Sequence, residues 1–332
     1  MSDWPKVQLH VVTGKGGTGK STVAAALALA LAGSGRSVLL CEVEGRQGIA
    51  RMFDVDPLPY EERRLTRGLP DAGGSAGLVH ALHIDPESAL MEYLSMYYKL
   101  GRAGKALDRF GVIDFATTIA PGVRDVLLTG KVYEATQRNA RNRDATVYDA
   151  VVLDAPPTGR IAQFLGVNSE LAGLAKVGPV KSQADKVMAL LRSPRTAVHL
   201  VTVLEEMPVQ ETVDGIAELT AAGLPVGGVV VNLVRSRDLG PAALEAIRTD
   251  AVDRTEIAQD LTREGVAVTH DLVESLVAEA RDHAVRRELE DEQHQVVADL
   301  DVPTYELPRL AGGIDQGALL ELAAVMREQG LA

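Results

Sequence analysis

One cysteine, Cys41, is all that this 332-residue chain contains. That excludes an intrachain disulfide, a multi-cysteine metal centre and cysteine-held iron–sulfur chemistry. Cys41 falls within Ser37–Val43, a stretch expected to be a buried strand, where a thiol behaves as a small hydrophobe. Basic charge is also short: 34 Lys and Arg face 46 Asp and Glu, for a net charge of −12. Such a balance argues against nonspecific nucleic-acid binding and against docking on an anionic membrane surface. No 18-residue apolar run exists, so no membrane span is expected. Met1–Lys6 has none of the features of a signal peptide, and a cytoplasmic location is expected. Internal repeats are missing too, which points to one unit rather than a tandem pair. The seven histidines are scattered. His80 and His83 fall three apart in an extended stretch, Leu78–Ile84, and so would face opposite sides of a sheet.

What the chain does have is concentrated near its start. Gly14-Lys15-Gly16-Gly17-Thr18-Gly19-Lys20-Ser21 follows an apolar run (Val7, Leu9, Val11, Val12) and precedes a run from Thr22 to Ala32 that is almost entirely Ala, Leu and Val. Strand, glycine-rich turn and helix in that order are the setting of a phosphate-binding P-loop. Glycines let the backbone turn tightly and aim its N–H groups at phosphate oxygens, and the helix N-terminus adds its dipole. Lys20 would reach the β- and γ-phosphates and Ser21 would hold Mg²⁺. The expected cofactors are therefore ATP and Mg²⁺, cradled by Gly14, Lys15, Gly16, Gly17, Thr18, Gly19, Lys20, Ser21 and Thr22.

The rest of the chain reads as alternating strands and helices, which implies a doubly wound, mainly parallel α/β sheet of the P-loop NTPase class. Strands are expected at Val7–Val12, Ser37–Val43, Tyr148–Asp154, Thr196–Leu204, Gly227–Leu233 and Pro303–Leu307. Helices are expected at Lys20–Ala32, Val209–Ala222, Asp271–Leu300 and Asp315–Gln329. Asp56–Gly77, rich in Pro, Gly and charge, reads as a surface loop. The whole chain is expected to be one domain, with a helical insertion over 86–145 and a further charged helical segment over 240–300. Met91, Leu94, Met96, Tyr97 and Tyr98 of the insertion form an apolar stripe that is either core or a client groove.

Asp154 ends an apolar strand, where a Walker B carboxylate would hold a Mg²⁺-bound water. The metal-holding pair is then Ser21 and Asp154. The prolines after Asp154 and Gly159 are expected to form a stiff turn whose backbone N–H senses the γ-phosphate. Glu42 and Glu44 come at the carboxyl end of a strand, the side on which ligands bind in parallel sheets.

The loop K-G-G-T-G-K-S resembles the deviant Walker A loop of the family that contains the arsenical-pump ATPase ArsA, MinD, ParA and nitrogenase iron protein. Asp154-Ala155-Pro156-Pro157-Thr158-Gly159-Arg160 is similar to the switch II of ArsA and the tail-anchored-protein-targeting ATPases. The phrases E-G-R-Q-G and A-P-G-V-R-D-V-L-L-T-G-K look most like an actinobacterial branch of ArsA-like ATPases that occur as two related subunits. The resemblance implies that Lys15 reaches a partner's nucleotide, and that Glu44 stands at the position of the catalytic Asp that orients the attacking water. It also implies that Asn232 reads adenine, that Pro308 closes over it, and that Glu205 lies near the intersubunit face. Lys15, Glu44 and Asp154 are thus the expected catalytic set. The family's arsenite-binding cysteines are absent, which argues against arsenite as cargo, and so is its zinc-holding C-x-x-C, so any dimer is expected to be held by other surfaces.

Taken together, the sequence reads as a Mg²⁺-ATP-dependent dimeric switch, paired with itself or with a paralogue, that couples hydrolysis to an unknown client. Two alternatives stay open: a non-catalytic nucleotide-binding subunit that regulates a paralogous ATPase, and a positioning ATPase of the MinD or ParA kind.

Overall fold

A computed structural model describes residues 2–33, 35–43, 47–70, 74–98, 122–139, 145–174, 179–237 and 239–332. An eight-stranded sheet runs through the middle. In chain order its strands are β1 (Leu9–Gly14), β2 (Ser37–Glu42), β3 (Arg63–Arg67), β4 (Leu78–His83), β5 (Ala150–Asp154), β6 (Thr196–Thr202), β7 (Val226–Val234) and β8 (Thr304–Pro308). Their spatial order is β3-β4-β2-β5-β1-β6-β7-β8, with every pairing parallel except β3 against β4. This is the expected α/β class.

Residues on β1 alternate between two cores, as the two-residue period of a strand requires. Val12 belongs to a cluster with α1 (Lys20–Leu31) and α11 (Gln316–Glu328), whereas Leu9 and Val11 face the opposite layer. That second layer holds α4 (Val123–Gln137), α5 (Thr158–Leu174), α6 (Pro179–Leu191) and α7 (Glu206–Ala221). Covering both faces explains why the central strands are apolar throughout rather than alternating. α1 has no polar side: nine of its residues, Val23 through Leu31, are buried. A helix apolar all round belongs inside a protein.

Two expectations need correcting. Asp56–Gly77 is not all loop, because Arg63–Arg67 is the antiparallel edge strand β3. Its sequence, Arg-Arg-Leu-Thr-Arg, lacks an apolar face; charge is what an edge strand carries to discourage further pairing, and here it hid the strand. The segment after Asp154 is a turn only as far as Pro157, since Thr158 opens α5 and Gly159 lies in its first turn. Between β5 and β6, residues 158–191 hold two helices, α5 and α6, for which the sequence set no bounds.

The remaining helices among the described residues are α2 (Gly48–Met52), α3 (Pro86–Tyr98), α8 (Pro241–Arg248), α9 (Arg254–Arg263) and α10 (His270–Ala298). α3 and α4 flank the stretch 99–121, which lies outside the described residues, as do the side chains of Leu94, Met96, Tyr97 and Tyr98. Met91 is half-buried. Among the described residues no helix is long and apolar enough to cross a membrane.

Candidate functional site

The carboxyl ends of β2, β5, β1 and β6 meet at the centre of the sheet, where the chain switches from one side of β1 to the other. A ligand crevice forms at such a point. Gly14 ends β1 at φ +154°, and a Cβ there would lie 2.1 Å from the Val201 carbonyl oxygen of β6. Only glycine lets the loop leave the sheet so close to its neighbour. Gly16 and Gly17 form the exposed tip. Gly19 returns the chain to α1 at φ +89°, and a Cβ there would lie 2.3 Å from Asn232 Nδ2.

The loop is braced internally. The Lys15 carbonyl accepts from the Thr18 N–H (3.3 Å), the Thr18 hydroxyl (2.9 Å) and Lys20 Nζ (3.4 Å). Asn232 Nδ2 donates to the Thr18 carbonyl at 2.9 Å from a buried position on β7. α1 starts without a side-chain cap and with no acidic residue in its first turn. Its leading N–H groups are therefore available to an anion, where the positive end of the helix dipole also acts.

Below the loop, Ser21 Oγ donates to Asp154 Oδ2 at 2.5 Å. Asp154 is 7 % exposed at the end of β5. A hydroxyl and a buried carboxylate, both oxygen donors, fit a hard cation such as Mg²⁺, which binds few protein ligands and keeps waters. Thr13 Oγ1 donates to the Pro156 carbonyl at 2.7 Å, tying the end of β1 to the turn that follows Asp154. Thr22 Oγ1 contacts Met52 Sδ at 3.7 Å, linking α1 to α2.

The sequence-predicted residues divide into three groups. Gly14, Lys15, Gly16, Gly17, Thr18, Gly19, Lys20, Ser21, Thr22, Asp154 and Asn232 converge on one corner. Gly159 stands in the first turn of α5. Glu205 precedes α7 as an exposed N-cap, and Pro308 ends β8. Pro308 lines an open cleft with Val234, Arg235, His283, Glu306 and Arg309, at the carboxyl ends of β7 and β8. Asn232 is turned from that cleft onto the P-loop. Glu44 lies outside the described residues.

Two neighbours complete the corner, and one of them, Glu42, is expected there from the sequence. Glu42, at the end of β2, is in register with Asp154 and only 2 % exposed. Its Oε1 accepts the Gly48 N–H at 2.7 Å, and its Oε2 lies 3.7 Å from His83 Nδ1. That place at the carboxyl end of β2 is the one expected from the sequence, where the water-orienting role is assigned to Glu44. Glu211 accepts from Lys15 Nζ at 2.6 Å. No sequence signal predicts that contact, because the two residues are 196 positions apart.

Behind the turn, Arg160 lies 3.6 Å from Asp125 in the first turn of α4. Burial raises the Asp125 carboxyl above its ordinary pKa, opposed by the Arg160 and Arg124 charges. Asn168 Nδ2 donates to Thr129 Oγ1 at 2.8 Å, so α5 is fastened to α4 at a second, buried point.

The family model for anion-transporting ATPases matches residues 7–192. ATPase BagA of Mycobacterium tuberculosis is 50 % identical over 332 residues, covering 99 % of this chain and 96 % of that protein. This chain belongs to the anion-transporting ATPase family. More distant is the arsenical pump-driving ATPase of Escherichia coli, 29 % identical over 226 residues. That match covers 68 % of this chain and 34 % of the relative. As an anion-transporting ATPase, the chain is an ATP-hydrolysing enzyme, and its P-loop corner falls within the matched region.

Proposed function

We propose that this anion-transporting ATPase is a Mg²⁺-ATP-dependent dimeric switch of the cytoplasm. The observation that carries the reading is the Ser21–Asp154 contact beneath a P-loop whose tip, with Lys15, is open to solvent. Ser21 and Asp154 would hold the metal with its waters, and Mg²⁺ when bound neutralises phosphate charge. Lys20 and the N-terminus of α1 would hold the β- and γ-phosphates. Glu44 would orient the attacking water, with Glu42 beside it as a second carboxylate. Asn232 and Pro308 would border the adenine, and Glu205 the partner.

Lys15 would act on the nucleotide of a partner, either a second copy or a paralogue. The turn after Asp154, with Gly159, would sense the γ-phosphate and pass its state through Arg160–Asp125 and Asn168–Thr129 to α4. That helix is part of the region 86–145, read as a helical insertion that carries the client. Arsenite is not the client proposed, because Cys41 is buried and is the chain's sole thiol. The segment 240–300 would be a further helical part of the same domain.

The test mixes two variants, Lys15→Ala and Asp154→Asn, each defective alone. A lysine acting in trans leaves one complete site in the mixed dimer, so ATP turnover returns on mixing. Charges supplied in this way are worth ~10³–10⁵-fold in rate. If exchange between subunits is demonstrated and turnover stays absent, with a paralogue present or not, the trans role fails.

A further inference from the structure

Lys15 has two separable parts. Its carbonyl is the hub of the loop, accepting three hydrogen bonds from Thr18 and Lys20. Its side chain leaves the loop altogether and crosses to α7, where Nζ meets Glu211 Oε1 at 2.6 Å. Both side chains are partly open to solvent, at 29 % and 35 %. Lys20 stays within the loop while Lys15 is drawn out of it, although both are lysines of one eight-residue turn.

An ammonium held by a carboxylate of its own chain is not available to anything else. We infer that Glu211 is a positioning residue for Lys15: it holds the ammonium away from the chain's own phosphate cradle, and gives it up only to the phosphate oxygens of a nucleotide bound on a second copy. The inference rests on the proposed trans role of Lys15 and deepens it. An exposed ion pair suits the task because it is weak and its partners exchange easily. A buried pair would resist release, since separating it leaves an uncompensated charge out of water. Glu211 lies in the second turn of α7, a helix anchored by buried Pro208, Val209 and Thr212, so the carboxylate is presented from a rigid support.

A cost follows for assembly. Each Lys15 transferred to a partner breaks one pair with Glu211, and a symmetric dimer breaks two. An exposed pair of this kind is worth about 1.5- to 5-fold in an equilibrium, so two together weaken dimerisation by about 2- to 25-fold. Glu211→Gln keeps the size and the hydrogen-bonding oxygen but removes the charge.

The experiment has two arms. In the first, unlabelled and ¹⁵N-labelled wild-type chains are mixed without nucleotide and treated with a zero-length carbodiimide, and the Lys15–Glu211 crosslink is mapped by mass. The expected crosslink joins peptides of the same isotope only, and it declines when ATP and a fluoride transition-state mimic are added. No crosslink, or crosslinks joining the two isotopes, overturns the inference. In the second arm, ATP-dependent dimerisation is followed by sedimentation for wild type, Glu211→Gln, Lys15→Ala and the double variant. Glu211→Gln is expected to shift the midpoint to about 2- to 25-fold lower protein concentration, and to have no such effect when Lys15 is Ala. A weaker dimer, or the same gain without Lys15, overturns the inference, because Glu211 then acts through the interface itself. Failure of the trans reading appears elsewhere, as absent recovery in the Lys15→Ala and Asp154→Asn mixture, and the isotope arm decides the contact with Glu211 regardless.

Discussion

Helix α1 and the pair α9–α10 are the two extremes of this molecule. α1 is twelve residues with nine buried, and its N-terminus carries no side-chain cap. α9 has no buried residue, and α10 buries Val273, Val277, Arg287 and Val297 out of twenty-nine. Both of these outer helices are capped by side chains. Asp253 accepts from the Thr255 and Glu256 N–H groups, and Thr269 accepts from the Leu272 N–H. An ion pair, Arg254 to Glu274 at 2.8 Å, links the two, and Arg281 of α10 pairs with Asp250 ahead of α9. The inner helix is thus fixed by packing and left chemically open at one end. The outer helices are finished at their ends and bury only a few residues, among them Val297 against Val209, Val229 and Val231. A helix can leave its first N–H groups open to a ligand when burial alone secures it.

The largest effect is expected where packing is tightest. Leu27→Ala empties space in α1 at a fully buried position, and the loss should fall in the upper half of the ~2–5 kcal/mol range for such truncations. Denaturant titration should show a lower midpoint at unchanged slope. A loss below ~1 kcal/mol would mean that α1 is less essential to the core than its burial says.

Acid should act next, also within the inner region. His10 of β1 and His199 of β6 are stacked and fully buried, with His10 Nδ1 3.1 Å from His199 Nε2. The Gly228 N–H donates to His199 Nδ1, so the His199 proton is on Nε2 and points at His10. Burial lowers His199 from the ordinary 6.5 to about 4. It also lowers His10 well below that ordinary value, helped by His199 and the more distant Arg36. Both rings are neutral in the fold, while the unfolded chain protonates them below about pH 6.5, so the unfolded state binds more protons there. Their contribution is complete above pH 6.5 and drains away as pH falls through that value toward 4. For His199 alone the loss is ~3 kcal/mol. The stability-versus-pH slope between 6.5 and 4 should shrink in His199→Asn; an unchanged slope would remove the histidines from the account.

The smallest effect belongs to α10. Leu289 is 54 % exposed, and Leu289→Gln should change stability by no more than ~0.5 kcal/mol. A larger loss in dilute solution would show that the outer helices depend on apolar contact, and would break the contrast with α1.

Much of the site was legible because its chemistry is local. Gly14 through Ser21 form a continuous string, and the strand before it and the helix after it are readable from apolar content alone. Asp154 was legible because an acid closing the run Val151-Val152-Leu153 has one position in a parallel sheet, its carboxyl end. β3 was not legible, since its pairing with β4 rests on backbone hydrogen bonds that leave no trace in Arg63, Arg64 and Arg67. The side of β2 on which Glu42 lies was not legible either, because the two-residue period separates Glu42 from Val43 only once register with β5 is known.

The sequence by itself determined the α/β class, the phosphate-binding loop and the exclusion of an intrachain disulfide, for each of these depends on residue type and near spacing. Tertiary structure decided which distant groups meet. Ser21 reaches Asp154 across 133 positions, Asn232 reaches Thr18 across 214, and Lys15 finds Glu211 across 196. Those meetings follow from the order β2-β5-β1-β6-β7, in which strands far apart in the chain end side by side. Strand order is set by how helices cover both faces of the sheet, a property of the packed whole that no short stretch of the chain carries.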